Sequence, residues 1–189
     1  MKDLFSAQAH DYLNFRPDYP EALYNYVLSK VKCFDTAWDC ATGNGQVAKV
    51  LAQHFKQVEA TDISEAQLKI AFQKDNILYS KTPAESTAFP DHHFDLITVG
   101  QALHWFDHPQ FFKEVKRVAK PEAHLATWGY GILTVSPEID PHFHHYYHTI
   151  VGPYWDEARK HIENEYAGIH FPFNTIESAH FTFTISWTL

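Results

Sequence analysis

Short apolar runs alternate with amphipathic segments along the first 130 residues of the chain. Apolar runs at 36–41, 58–63 and 94–100 predict β-strands, and FDLITVG at 94–100 is continuous enough for a strand buried on both faces. Weaker runs at 77–80 and 124–128 predict two more strands. Five strands are therefore predicted before residue 130.

Segments with helical spacing of apolar residues lie between these strands. They follow Pro20, the turn at 42–45, Ser64 and Asp107. Ser64 is followed three positions later by Gln67, which is a capping-box pattern. This alternation of strand and helix predicts an α/β fold, in which a doubly wound, mostly parallel sheet carries helices on both faces.

The pattern changes after Gly131. Residues 132–180 are rich in His, Tyr and Phe, and they predict two helices with aromatic loops. Strict alternation of apolar and polar residues in FTFTISW at 181–187 predicts a final strand.

A chain of 189 residues has the length of one domain. We therefore expect a single domain over residues 1–189. Its parts would be an N-terminal arm at 1–19, a ligand-binding core at 20–131 and a substrate-covering segment at 132–189.

Composition argues against two classes of partner. The formal charge is −8 and Lys and Arg are not clustered, so no nucleic-acid partner is expected. No apolar run reaches about 18 residues, so no membrane span is expected. Cys33 and Cys40 are expected to be reduced thiols of a cytoplasmic protein, with Cys40 in the turn at the mouth of the site.

Histidines cluster at positions 142, 144, 145 and 148. His144 and His148 would share one face of a helix at i, i+4 spacing. A zinc site needs three or four converging ligands, and no Cys or HExxH motif accompanies these residues. No metal is therefore expected.

A glycine-rich turn with a distant acid carries the candidate chemistry. Residues 43–48, GNGQVA, fit G-x-G-x-x-G/A between a strand and a helix, and Asp62 lies 19 residues after Gly43. This spacing is typical of a nucleoside-binding crevice. An ordinary strand–turn–helix unit that binds no ligand would be consistent with the same sequence. Asp39 before the turn disfavours a pyrophosphate but suits an ammonium group, which favours S-adenosylmethionine over a dinucleotide.

Two motifs resemble those of class I S-adenosylmethionine-dependent methyltransferases, which have a Rossmann-like fold. DCATGNG at 39–45 is similar to their first motif, commonly D/E-x-G-x-G-x-G, with Ala41 in place of the first glycine. TDIS at 61–64 resembles the second motif, which implies Asp62 on the ribose and Ile63 beside the adenine. The first motif implies cofactor contacts by Asp39, Ala41, Gly43, Asn44 and Gly45.

Two further segments support the resemblance. Ala84 and Glu85, followed by FP and FDL, look like the family segment that edges the adenine. QALHWFD at 101–107 is similar to the trans-aconitate methyltransferase-like branch of the type 11 methyltransferases. This similarity implies that Gln101 lies near the cofactor.

The N-terminal arm resembles the lead-in of the same branch, Y-x-x-x-R-P-x-Y-P, between Tyr12 and Pro20. Arg16 could pair bidentately with the carboxylate of the cofactor, because a guanidinium fork fits that group. An Arg–acid pair that only fastens the arm would fit as well. Tyr12 would pack over the cofactor.

His104 and Trp105 follow the fourth strand on the ligand side, and they are the candidate substrate-pocket residues. His104 is the candidate general base, which a phenol, amine or carbon acid would require and a carboxylate would not. Alternatively, its ring orients the loop by bonding a backbone carbonyl. Trp105 is expected to be a pocket wall.

The resemblance implies methyl transfer from S-adenosylmethionine to a small-molecule acceptor, with a carboxylic acid as the expected class. A non-catalytic or partner-dependent S-adenosylmethionine-binding module is the alternative, and an NAD-dependent oxidoreductase is less favoured. The family usually ends in an antiparallel strand hairpin. Only FTFTISW follows the fifth strand here, so either the hairpin is missing or this last strand substitutes for it.

Overall fold

A five-stranded, all-parallel sheet organises the chain. The computed structural model describes residues 17–174 and 178–186. The strand order is β3-β2-β1-β4-β5. The strands are β1 (Thr36–Cys40), β2 (Gln57–Asp62), β3 (Ile77–Lys81), β4 (Phe94–Gly100) and β5 (Ala119–Trp128). All five predicted strands are confirmed. The observed β5 begins at Ala119, five residues before the apolar run at 124–128.

In residues 17–128, four α-helices accompany the sheet, and they are α1 (Glu21–Lys30), α2 (Gln46–Leu51), α3 (Glu65–Lys69) and α4 (His108–Val118). Helices α2 and α3 connect the strands on one side of β1, and α4 connects β4 to β5 on the other side. Right-handed crossovers in opposite directions place such helices on opposite faces of the sheet. The doubly wound α/β prediction is confirmed.

The core of the sheet lies around Trp38, which is fully buried. Its ring stacks on Phe94 at 5.9 Å and lies 6.3 Å from the ring of Phe111 in α4. Its indole N–H donates to the Thr61 hydroxyl at 2.9 Å, so the polar edge of this large side chain is satisfied. Every residue of β4 is buried, as its continuous apolar run predicts.

Two predicted helix starts differ in outcome. Asp107 caps α4 by accepting the Gln110 N–H at 3.2 Å, as predicted. Ser64 caps α3 by accepting the Gln67 N–H at 3.3 Å, but the reciprocal half of the capping box is absent. Asp62 takes the Ser64 N–H instead, at 2.8 Å. The buried Gln67 amide has no partner among the described residues.

The predicted C-terminal strand is wrong for the part of it that the structure describes. Residues 181–186 have no regular secondary structure, and Trp187 lies outside the described residues. Alternation predicts two faces, but a strand also needs a neighbouring strand to bond. Phe181 packs instead on Tyr26 of α1, with ring centroids 5.6 Å apart.

Residues 129–170 form a second compact unit. Its elements are α5 (Asp140–His145), a π-helical turn (Tyr146–Ile150), two 3₁₀ turns (Gly152–Tyr154 and Glu157–Arg159) and α6 (Lys160–Glu163). Two α-helices are present as predicted, and both are short. In the described part of the chain, no helix has the length and apolar character needed to cross a membrane.

The residue that precedes α2 is a glycine that packs against β3. Gly45 has a left-handed backbone with φ of +84°, and a Cβ there would lie 2.3 Å from the Tyr79 hydroxyl oxygen. That hydroxyl donates to the Phe72 carbonyl at 2.5 Å. Burial, with a smaller effect from Asp39, raises the pKa of Tyr79 to about 12, so the hydroxyl stays a donor at neutral pH.

We predict that Gly45→Ala lowers the free energy of unfolding by about 2 kcal/mol, from left-handed strain and the displaced Tyr79 hydrogen bond. Urea unfolding measures this change. Gly131→Ala is the matched control, because no atom lies within 4 Å of a Cβ at Gly131. Equal stability of the two variants would contradict the close packing at Gly45.

Candidate functional site

The candidate site lies where the strand order reverses, at the carboxyl ends of β1 and β4. In doubly wound sheets a crevice opens at this point, because the connections leave the two strands in opposite directions. Asp39 and Asp62 lie near the ends of β1 and β2, and Gly100 ends β4. The predicted site residues Asp39 and Asp62 therefore lie at the same edge of the sheet.

The turn after β1 has three left-handed residues, namely Ala41 (φ +56°), Gly43 (φ +58°) and Gly45 (φ +84°). They coincide with the three glycine positions of the D/E-x-G-x-G-x-G pattern. Ala41 adopts this conformation at a cost of about 1–2 kcal/mol. The Thr42 N–H donates to the Thr61 carbonyl at 2.9 Å, which holds the turn against β2.

Asp39 is buried, with only 1% of its surface exposed. It accepts the Ala48 N–H in the first turn of α2 at 3.0 Å and the Thr98 hydroxyl of β4 at 2.9 Å. It also accepts the Thr42 hydroxyl. Its carboxylate therefore joins β1, the turn, α2 and β4.

Asp62 connects the end of β2 to the glycine turn. One carboxylate oxygen accepts the Gly43 N–H at 2.8 Å, and the other accepts the Ser64 N–H at 2.8 Å. Asp62 and Ile63 are both half-buried. The structure thus brings Asp62 into contact with Gly43, the two residues that the 19-residue spacing in the sequence singles out.

The loop between β3 and β4 is held by α4. Arg117 donates to the Phe89 carbonyl at 2.6 Å, to the Thr87 carbonyl at 3.2 Å and to Asp91 at 2.7 Å. Glu114 accepts the Thr87 N–H at 2.8 Å. Burial acts to raise the pKa of Glu114, but hydrogen bonds from Arg117 and Thr87 outweigh it and lower that pKa.

This loop carries Ala84 and Glu85 to the site. Ala84 is buried, and Glu85 accepts the Asp107 N–H at 3.1 Å. Asp107 is the cap of α4 and the last residue of QALHWFD. The two segments that the resemblance selects are therefore in direct contact.

QALHWFD forms a tight connection between β4 and α4. Gln101 has φ of +56°, and its N–H donates to the Trp128 carbonyl at 2.8 Å. His104 lies in a 3₁₀ turn at Leu103–Trp105 and is 6% exposed. Its ring centroid lies 4.5 Å from that of Trp105.

Trp128 and Tyr19 lie against the end of β4, and sequence reasoning named neither of them as a site residue. A Cβ on Gly100 would lie 3.2 Å from the Tyr19 hydroxyl and 3.3 Å from Trp128 Nε1. The buried Trp128 N–H has no acceptor among the described residues. The pairing of Gly100 with Trp128 across β4 and β5 was the available signal, because both strands end there.

The outcome differs among the other predicted residues. Tyr12 and Arg16 fall outside the described residues. The position expected for Cys40 is wrong, because Cys40 is the fully buried last residue of β1 and not part of the turn. Burial raises the pKa of this thiol well above its usual range, which leaves it unreactive. Asn44 is buried within the turn, and its carbonyl accepts the Phe72 N–H at 3.1 Å.

One group of metal-type ligands occurs in the described ranges, Cys33, Asp35 and Asp95, where β1 and β4 begin. Lys56 lies 2.6 Å from Asp35, and Lys120 lies 2.8 Å from Asp95. These lysines already neutralise both acids. The histidines at 142–148 do not form such a group among the described residues, although His144 and His148 stack at 5.9 Å as their spacing predicts.

The residues of this edge fit S-adenosylmethionine by their chemistry. Two carboxylates, Asp39 and Asp62, flank the turn, and both accept backbone N–H groups of the segment 43–64. Such a site suits ribose hydroxyls and an ammonium group better than a pyrophosphate. The orphaned Trp128 donor adds a position for an acceptor oxygen.

Comparisons with known proteins show which family this chain resembles. The family model described as a methyltransferase domain matches residues 38–127, from β1 to the end of β5. A protein of Dictyostelium discoideum, provisionally named a methyltransferase, is 38% identical over 171 residues, which are 88% of this chain and 65% of the relative. A Saccharomyces cerevisiae protein, provisionally named an S-adenosylmethionine-dependent methyltransferase, is 27% identical over 137 residues, covering 68% of this chain and 46% of that protein.

Structural comparison gives the same assignment. A protein from Anaeromyxobacter dehalogenans, provisionally described as a type II methyltransferase, superposes with a TM-score of 0.79 at 37% identity. The superposition covers 87% of this chain and 70% of that one. This chain spans 65% of the Dictyostelium relative and about half of the yeast one, 46%. The sequence matches and the superposition together show that the chain belongs to the class I S-adenosylmethionine-dependent methyltransferases.

Proposed function

We propose that this chain transfers a methyl group from S-adenosylmethionine to a small-molecule acceptor. The observation that supports this most directly is the 2.8 Å contact between the Asp62 carboxylate and the Gly43 N–H. It joins the acid and the glycine turn at the reversal of strand order, where this fold binds nucleosides. When bound, S-adenosylmethionine supplies a methyl group on a positively charged sulfur, which is already activated toward nucleophiles.

The proposed cofactor residues divide by the group that each would hold. Asp62 would accept hydrogen bonds from the ribose hydroxyls. A carboxylate has about four lone-pair positions, so it can accept these bonds in addition to those from the Gly43 and Ser64 N–H groups. Asp39 would supply negative potential for the ammonium group. Ala41, Gly43, Asn44 and Gly45 would provide the backbone against which the cofactor lies. Arg16 and Tyr12 would bind the cofactor carboxylate and cover it.

The proposed adenine-side residues are Ile63, Ala84, Glu85 and Gln101. The contact of Glu85 with the Asp107 N–H supports this placement, since it fixes the loop beside QALHWFD. Ala84 is buried and presents only a methyl group, which suits the flat apolar face of a base.

We infer that the acceptor binds beside His104 and Trp105. The support for a carboxylic acid is the likeness of QALHWFD to the trans-aconitate methyltransferase-like branch. A carboxylate needs no base, so the protein would mainly align the nucleophile with the methyl group. Reduced Cys33 and Cys40 agree with action in a reducing, cytoplasmic compartment.

We predict that Asp62→Ala weakens binding of S-adenosylhomocysteine by about 1–3 kcal/mol, because charge-assisted hydrogen bonds are lost. Isothermal titration calorimetry measures this. Asp62→Asn keeps an acceptor for the Gly43 N–H, so its affinity for S-adenosylhomocysteine should lie between those of the wild type and Asp62→Ala. Asp75→Ala, at an exposed acid just before β3, is the control. Unchanged affinity in Asp62→Ala would remove the ribose assignment.

We predict that His104→Gln, if His104 is a base, lowers methylation of phenols by about 10²–10⁴-fold and leaves methylation of carboxylic acids unchanged. A panel of both acceptor classes, assayed by release of S-adenosylhomocysteine, checks this. The affinity for S-adenosylhomocysteine should not change. Equal losses for both classes would favour an orienting role. Cofactor binding without product from any acceptor would favour the non-catalytic module.

A further inference from the structure

Within the unit of residues 129–170, one arginine is held by two aromatic side chains. The guanidinium carbon of Arg159 lies 4.2 Å from the ring centroid of Trp155 and 5.3 Å from that of Tyr147. Its Nε–H donates to the Tyr147 hydroxyl at 2.5 Å. The two aromatic rings lie 5.5 Å apart. The orientation of this guanidinium is therefore set before any ligand arrives.

Arg159 has no carboxylate partner in the part of the chain that the structure describes. The adjacent Glu157 pairs with Lys160 at 3.6 Å, and the carboxylate of Asp156 accepts the Ala158 N–H at 3.0 Å. Arg117 shows the contrast, because its guanidinium bonds both Asp91 and Glu114. The terminal Nη groups of Arg159 have no acceptor among the described residues.

One of the two rings that hold Arg159 is open to solvent. Trp155 is 41% exposed, so small molecules can reach the ring that supports the guanidinium. A fixed guanidinium presents parallel N–H donors in the geometry of a carboxylate or phosphate, and little rotamer freedom is lost on binding.

We propose that Arg159, held by Tyr147 and Trp155, binds a carboxylate or phosphate group of a small anionic ligand. This site lies wholly within residues 129–170 and does not depend on methyl transfer. The competing explanation is a purely structural clasp, in which the cation–π contact only stabilises the turn at Glu157–Arg159. The two explanations differ in what an added oxyanion does.

Titration of the full chain followed by ¹H–¹⁵N NMR distinguishes them, with the Arg159 Nε–H and the Trp155 indole N–H as reporters. Citrate and inorganic phosphate are the probes, and chloride at equal ionic strength is the reference. We expect saturable shifts of both signals with at least one oxyanion and not with chloride. Preference for citrate assigns a carboxylate site, and preference for phosphate assigns a phosphate site.

Variants complete the test. Arg159→Lys should weaken oxyanion binding by about tenfold or more, because lysine cannot bind bidentately. Tyr147→Phe should weaken it by a smaller factor, since only the Nε contact is lost. Lys160→Gln, the matched control, removes the neighbouring charge and should keep the affinity. Shifts that never saturate, or equal affinity in Arg159→Lys, would overturn the proposal, provided that the backbone spectrum shows a folded chain.

Discussion

The candidate site depends on the hydrogen bonds that the buried carboxylate of Asp39 accepts. It accepts hydrogen bonds from a backbone N–H of α2 and from hydroxyls of the turn and of β4. A buried charge is tolerated only when such bonds replace water. One side chain therefore sets the distances between β1, α2 and β4. The left-handed turn, with Gly43 facing Asp62, is held within that frame.

The parts of the fold that the sequence predicts well are those with local signals. The continuous apolar run of β4 identifies a strand buried on both faces, and the short Asp107 side chain marks the start of α4. The glycine pattern also carries conformational information, because the left-handed φ values fall at its glycine positions, including Ala41. These features depend on neighbouring residues and on backbone sterics, so a single sequence is enough to find them.

The features that sequence reasoning missed join residues that are distant along the chain. Tyr19 and Trp128 meet at Gly100 only because α1 precedes the sheet and β5 ends beside β4. The strand predicted at FTFTISW failed for a related reason. Its alternation describes two faces, whereas the presence of a bonding edge is a property of the whole fold. The second half of the Ser64 capping box failed because Asp62 competes for the same N–H.

Arg117 has a consequence for how this scaffold can vary. In two of its contacts with the β3–β4 loop, Arg117 donates to a backbone carbonyl, a group that any residue provides. The loop therefore keeps its position on α4 even when many of its side chains change. Ala84, which we propose for the adenine side, belongs to this loop and makes no bond to Arg117, so its side chain can change without loss of this anchor. Anchoring through the main chain separates the evolution of specificity from the maintenance of shape.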